Sequence, residues 1–456
     1  MYNTTNKIVA LAITTQASFL MTFMSSSISI ALPSIGKEFE TNAILLSWIV
    51  TSYLLATAIC LVPFGRIADI VGIKKIFTYG IFIYTISSLL SAVSTSAVML
   101  IFFRVLQGIG GAMTISTSIA ILSSIFPTGE KGKALGINAA AIYFGLTLGP
   151  FLGGLLTEHF GWRSIFIANI PLGLITIVFT FWKIKGDWSG AKGEKFDFIG
   201  SAIYSLLLIS LMYGFSLLPS ILGAGLILVG VLGFLAFVKW ETKSESPVLN
   251  IGLFRNNRVF TFSNFATLAN YSATYAVVFL LSLYLQYIKG FSPQNAGLIL
   301  VSKPIIQAAL SPFTGRLSDK IEPQKVASVG MALTSVALFL FSFLNKNTAL
   351  ALIIACLILL GFGLGLFASP NTNAVMSSVK PRFYGVASAT LSTMRATGGV
   401  LSMGITTLLF AIYMGRVEIT PEYYPLFLTS ARIAFAIFAT LCLGGIFASL
   451  ARGKIQ

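Results

Sequence analysis

Long apolar runs separated by short polar segments set the pattern of this chain from end to end. A helix needs about 20 apolar residues to cross a hydrocarbon core of about 30 Å, and fourteen runs reach that length. They fall near 8–33, 44–64, 75–94, 97–120, 134–157, 163–183, 198–218, 220–239, 261–286, 294–313, 325–344, 348–370, 384–411 and 426–450. The stretch 198–240 is interrupted only at Leu218-Pro219-Ser220 and is read as two spans. The first run is too long for a signal-peptide core and lacks a small-residue cleavage site, so it is expected to stay as a membrane helix. The pattern predicts an all-α integral membrane protein.

The longest polar stretches, about 184–197 and 240–260, flank the pair of spans between them. This divides the chain into a six-helix bundle over 1–185, linkers with two extra transmembrane helices over 186–255, and a second six-helix bundle over 256–456. Two such bundles facing one another enclose a midplane cavity, a common transporter architecture.

Composition agrees: of 456 residues 56% are hydrophobic and 10% charged, and the mean hydropathy is +0.89. A soluble enzyme needs a far larger charged shell. The net charge of +16 would suggest a nucleic-acid partner in a soluble protein. Here it follows topology. Fourteen spans put both termini on one side, and the loops of that side hold 21 Lys and Arg against five on the other. The positive-inside rule then places both termini in the cytoplasm of a plasma-membrane protein, with the lipid bilayer as partner and no nucleic acid. Cys60, Cys356 and Cys442 lie inside apolar runs without C-x-x-C spacing, so neither a disulfide framework nor a metal site is expected. No paired intramembrane carboxylates, His/Cys cluster, G-x-S-x-G or P-loop is present, which argues against an enzyme.

One segment occurs twice. Pro63-Phe64-Gly65-Arg66-Ile67-Ala68-Asp69 closes the second span and Pro312-Phe313-Thr314-Gly315-Arg316-Leu317-Ser318-Asp319 closes the tenth, each at the same place in its six-span half. A duplicated bundle explains this economically. Gly65 and Gly72 are expected to let the backbone turn, and Asp69 to accept from helix N-terminal amides or pair with a cation across the halves; a solvated charged turn is the alternative. The run Gly65 to Lys75 resembles the signature loop of the major facilitator superfamily. Arg104-Val105-Leu106-Gln107-Gly108 in the fourth span resembles a second motif, whose Arg is linked to ion coupling in proton-driven members. An intramembrane Arg is costly, so Arg104 should face protein or water and have a partner, unless it snorkels to the headgroups. Gly145, Gly149, Pro150, Gly153 and Gly154 in the fifth span resemble the antiporter motif. Glycines at i, i+4 and i+8 make a flat stripe suited to a hinge or an occluding seam, or to generic small-residue packing. Gly161 to Gly173 and Leu253 to Phe260 look like the fourteen-span drug:proton antiporter branch, and the likeness covers nearly the whole chain. His159, the single histidine, is read as a boundary residue, with a proton relay as the alternative.

The chain departs from that branch where it matters for charge. The branch usually carries an Asp nine residues before the Pro of its Ala-Leu-Pro segment; here that position is Met24. Sorting the fourteen carboxylates leaves none for mid-membrane. Lys303 and Arg395 instead sit halfway along the tenth and thirteenth spans. A buried Lys can exchange a proton, and Arg395 can equally bond carbonyls of neighbouring helices. Ser26, Gln107, Asn270 and Tyr271, with Gln16, Ser25, Tyr275, Asn371 and Asn373, offer polar contacts to a substrate or to neighbouring helices. The resemblance implies a monomeric alternating-access efflux antiporter of small amphipathic compounds that uses an ion gradient, of protons, and no cofactor. An exporter of anionic or zwitterionic metabolites or lipids through Lys303 and Arg395 is the alternative, followed by a non-transporting membrane sensor.

Overall fold

The computed structural model describes residues 4–126, 128–184, 196–244, 247, 249, 251–380 and 384–452; the side chains of residues 4–6, 128, 129, 131, 132, 316, 319, 320, 384 and 385 are outside that description. Among the described residues, fourteen helical stretches are long and apolar enough to cross a membrane. The first six are α1 (Thr4–Glu38), α2 (Ala43–Val71), α3 (Ile73–Ala92), α4 (Ala97–Ile125), α5 (Thr128–Phe160) and α6 (Arg163–Lys183), followed by α7 (Phe198–Leu217) and α8 (Ile221–Glu241). A short α9 (Ile251–Asn256) precedes the ninth span, which is built of α10 (Arg258–Thr274), α11 (Ala276–Leu283) and a π turn over Tyr284–Ile288. The tenth joins α12 (Pro293–Leu300) to α13 (Ser302–Lys320). Then come α14 (Pro323–Phe341), α15 (Leu350–Ser377), α16 (Tyr384–Tyr413) and α17 (Tyr424–Ala451). An even number of crossings brings Thr4 and Ala451 to one face, called the near face below; the opposite one is the far face.

Side chains at the helix starts supply acceptors for amides that have no partner within the first turn. Asn42, Ser96, Asp197, Ser220, Asn257 and Ser292 cap α2, α4, α7, α8, α10 and α12 in this way. The turn between α2 and α3 is made by Gly72 alone, at φ 133°. Gly65 lies inside α2 and Gly315 inside α13, both helical, so neither makes the turn expected of Gly65. The helices also outrun the apolar runs. α2 continues seven residues past Phe64, through Arg66 and Asp69 to Val71, because charged side chains beyond the hydrocarbon do not interrupt backbone hydrogen bonding.

α1 to α6 pack as one half and α10 to α17 as the other, while α7 packs on α8 and against α2 and α16. Trp48 and Tyr213 meet edge-on at 6.4 Å, and Tyr204 lies 3.3 Å from the Thr397 hydroxyl. The outer side of α8 is apolar and exposed from Ile221 to Leu235, as a lipid-facing surface requires.

Hydrogen bonds joining the halves cluster toward the far face among the described residues. Ser47 and Thr407 share one at 2.8 Å, Ser282 donates to the Ser29 carbonyl at 2.6 Å, Gln286 to that of Ile30 at 2.9 Å, and Ala43 to that of Val417 at 3.2 Å. α2 is buried almost without a break from Leu46 to Ala58 and only half-buried over most of 59–70. The halves are thus closed together at the far face and diverge toward the near one.

Candidate functional site between the halves

The glycine stripe of α5 has two faces with different partners. A Cβ at Gly145 would meet Thr22 Oγ1 at 2.2 Å and one at Gly153 would meet Ser27 Cβ at 2.7 Å, both on α1 of the same half. Ser26 occupies the groove left by Gly149 and donates to the Gly145 carbonyl at 3.3 Å; Ser27 donates to the Gly149 carbonyl at 2.9 Å. Ser26 is therefore spent on holding α1 to α5. The other face meets the second half. A Cβ at Gly154 would lie 2.5 Å from the Pro293 carbonyl oxygen, and one at Gly297 would lie 2.1 Å from that of Pro150. At the far end of this seam Glu158 accepts from the Gln294 amide at 2.9 Å and His159 lies 3.2 Å from Gln294 Oε1. His159 is thus a boundary residue that contacts the opposite half.

Arg104 is fully buried between α2, α3 and α4 rather than snorkelling. Its Nε donates to the Ile49 carbonyl at 3.2 Å, Nη1 donates to Gln107 Oε1, and its Cζ lies 4.3 Å from the Tyr53 ring centre. Gln107 passes the chain on to Ser88 at 2.7 Å. Nη2 is buried without a partner. The ring face and carbonyls replace the carboxylate that a buried guanidinium would otherwise need. Met24, where the branch would place an Asp, is fully buried and its sulfur contacts Asn169 Nδ2 of α6 at 3.3 Å. It packs inside its own half.

Away from the membrane faces, the charged side chains of the second half's tenth and thirteenth spans are cationic among the described residues. Lys303 stands just after the break at Val301 that separates α12 from α13 and is partly buried. Among the described residues its ammonium has no hydrogen-bond or ion-pair partner. Arg395 lies nine residues into the 28-residue span Val386–Tyr413, so it sits in the part nearer the near face and not halfway. Its Nη2 donates to Thr372 Oγ1 at 2.8 Å and its Cζ is 5.8 Å from the Tyr271 ring centre, while Nε is buried and unpartnered. Tyr143 of α5 is within electrostatic reach of both Tyr271 and Arg395. Ser25 and Tyr275 join the halves at 2.8 Å. Asn270 is fully buried with both side-chain atoms unpartnered. The described carboxylates all lie in loops or within a few residues of a helix end.

The remaining polar candidates are interhelical ties. Gln16 donates to the Leu172 carbonyl, Asn373 to Ser318, and Asn371 to Thr267 while accepting from the buried Arg452. Arg66, Asp69 and Lys74 are each engaged by contacts within the chain. Their counterparts Arg316 and Asp319 have side chains outside the described residues. Tyr143, Thr372, Tyr53 and Asn169 escaped the sequence reading. Tyr143 alone carried a signal there, as an aromatic two residues ahead of the glycine stripe.

Comparison with known proteins agrees with this architecture. The family model described as Major Facilitator Superfamily matches residues 15–403 and 263–453. The riboflavin transporter RibZ of Clostridioides difficile (strain 630) is 31% identical over 94% of this chain and 93% of its own length. The tetracenomycin C resistance and export protein of Streptomyces glaucescens is 27% identical over 86% of this chain and 74% of its own. Among solved structures, a bacterial homologue of the human lysosomal transporter Spinster, in an inward-facing and unoccupied conformation, superposes with a TM-score of 0.69 at 17% identity, covering 99% of this chain and 98% of that one.

Proposed function

This chain belongs to the Major Facilitator Superfamily, a transporter and not an enzyme, and from that premise we propose that it exports small amphipathic compounds across the plasma membrane by alternating access. In this reading it works as a monomer with both termini in the cytoplasm, exchanges its substrate for protons, and needs no cofactor. The near face is then cytoplasmic, and the conformation with the far face closed is the one that loads substrate from inside.

The observation that carries the substrate class is the cationic centre. Lys303 has no partner, Arg395 keeps an unpartnered Nε, and mid-span carboxylates are lacking among the described residues. At an effective dielectric of about 20, a like charge about 4 Å away is opposed by ~4 kcal/mol, nearly a thousandfold in affinity. Neutral, zwitterionic and anionic compounds are therefore favoured over permanent cations, with Tyr271 and Tyr143 as aromatic surfaces beside Arg395. Lys303 is the group that exchanges the proton. Export is supported by the glycine stripe, which resembles the antiporter motif, and by relatives named for drug resistance and export.

A second reading, export of anionic or zwitterionic metabolites or lipids, rests on the same two cations. The relative named as a riboflavin transporter favours including flavins among the ligands tried. The test is flux in proteoliposomes under imposed pH and voltage gradients, comparing cationic, neutral and anionic amphipaths. Accelerated flux of the last two classes by a pH gradient is expected. Flux that ignores the pH gradient would remove proton exchange, and preference for permanent cations would remove the assigned substrate class.

A further inference from the structure

We infer that the far face carries a second ligand site, separate from the centre, that takes a zwitterionic aromatic molecule and bridges the two halves. A cavity of about 390 Å³ lies there, within the usual range for small-molecule sites of roughly 300–1,000 Å³. The first half contributes Lys37 and Thr41, the second Tyr287, Phe291, Glu418 and Tyr424. Three aromatic rings thus wall a space whose rim carries one cation and one anion. Both rim residues are exposed, and neither side chain has a hydrogen-bond or ion-pair partner among the described residues. Thr41 is only 6% exposed, and its hydroxyl is buried without a partner. A buried hydroxyl left unpaired is costly, and a bound polar group would relieve it.

The π turn shapes this cavity. π turns are rare and recur at functional sites. This one places Gln286 and Tyr287 against the end of α1, where Gln286 donates to the Ile30 carbonyl at 2.9 Å and the Tyr287 hydroxyl to that of Pro33 at 3.5 Å. Deeper still, Ser282 donates to the Ser29 carbonyl and Ser25 meets Tyr275. Those contacts join the halves on the near-face side of the cavity, and Lys303 is not among its lining residues. An amine set toward Glu418 and a carboxylate toward Lys37 would leave the aromatic body among the rings, a fit that a singly charged or uncharged molecule completes only in part.

The test uses the purified full chain in lipid nanodiscs with L-tryptophan as probe, titrated by saturation-transfer NMR. Binding is read directly, so its failure is distinct from any failure of the transport reading. Tryptamine, indole-3-acetate and indole are expected to bind more weakly than tryptophan. Lys37→Gln and Glu418→Gln should each weaken tryptophan about threefold, the scale of an exposed ion pair. The double exchange Lys37→Glu with Glu418→Lys should restore it, because a zwitterion can turn round. Thr41→Val should weaken it, and saturable binding that responds to Lys37→Gln should persist in Lys303→Met, where the central cation is gone. Absence of saturable binding, equal binding of indole, rim variants that bind like wild type, or loss of binding in Lys303→Met would each overturn the site.

Discussion

Replacing Gly297 with alanine puts a methyl group where the seam between the halves has no room. Its Cβ would stand 2.1 Å from the Pro150 carbonyl oxygen, which is backbone and must retreat by roughly 1.3 Å to reach ordinary van der Waals contact. Overpacking of this kind costs about 1–3 kcal/mol. Pro150 belongs to the first half and Gly297 to the second, so the cost is charged only to the conformation in which the far face is closed. At about 1.4 kcal/mol per factor of ten, that conformation should lose roughly one to two decades of population relative to the alternative. Gly153→Ala makes an informative control. It crowds Ser27 at 2.7 Å within a single half, so it should lower stability in every conformation without shifting their balance. The assay is disulfide formation between Ser47→Cys and Thr407→Cys, whose hydroxyls are 2.8 Å apart across the seam, in a background lacking Cys60, Cys356 and Cys442. Gly297→Ala should slow cross-linking about tenfold or more, and Gly153→Ala should lower the melting temperature with cross-linking unchanged. Wild-type cross-linking in Gly297→Ala, with a loss of melting temperature like that of Gly153→Ala, would refute the reasoning.

Arg104→Lys should insert and fold, yet it cannot reach the Ile49 carbonyl, Gln107 and the Tyr53 ring together, so transport should fall about tenfold or more at equal protein level. Asp69→Asn should leave insertion and substrate affinity largely intact and slow turnover, measured as a split between kcat and KM. Single cysteines at positions 37, 289 and 416 should react with impermeant reagent from outside intact cells, and those at 74 and 320 should not; the opposite pattern would invert the assigned orientation.

The number of spans was legible because a hydrocarbon core accepts only long apolar helices, and each leaves its mark in the chain regardless of its neighbours. The α5 stripe was legible for a related reason, since glycines four apart must share a helix face. Its division between α1 and α12 was not, because both partners lie far away in sequence. Met24 and Ser26 illustrate the same limit. Position along α1 marks both as candidates but does not say which way each side chain faces: Met24 meets Asn169 of α6 and Ser26 fills the α5 groove. Gly65 was read as a turn because glycine permits one, but permission is not requirement, and the helix runs on to Val71. The cost of an intramembrane Arg makes a partner for Arg104 legible, but not which one: Gln107 comes from its own helix and the Tyr53 ring from another.

The central claim, a cationic midplane site that selects against permanent cations, is tested most directly by one ratio. Proteoliposomes holding wild-type protein or Lys303→Met are assayed for the initial rates of a fluorescein carboxylate and of ethidium under the same imposed pH gradient. Wild type is expected to move the anion at least about tenfold faster than ethidium, less than the electrostatic ceiling because water screens part of the field, and Lys303→Met to bring the ratio close to one. Efficient ethidium transport by wild type, or an unchanged ratio in Lys303→Met, would contradict it.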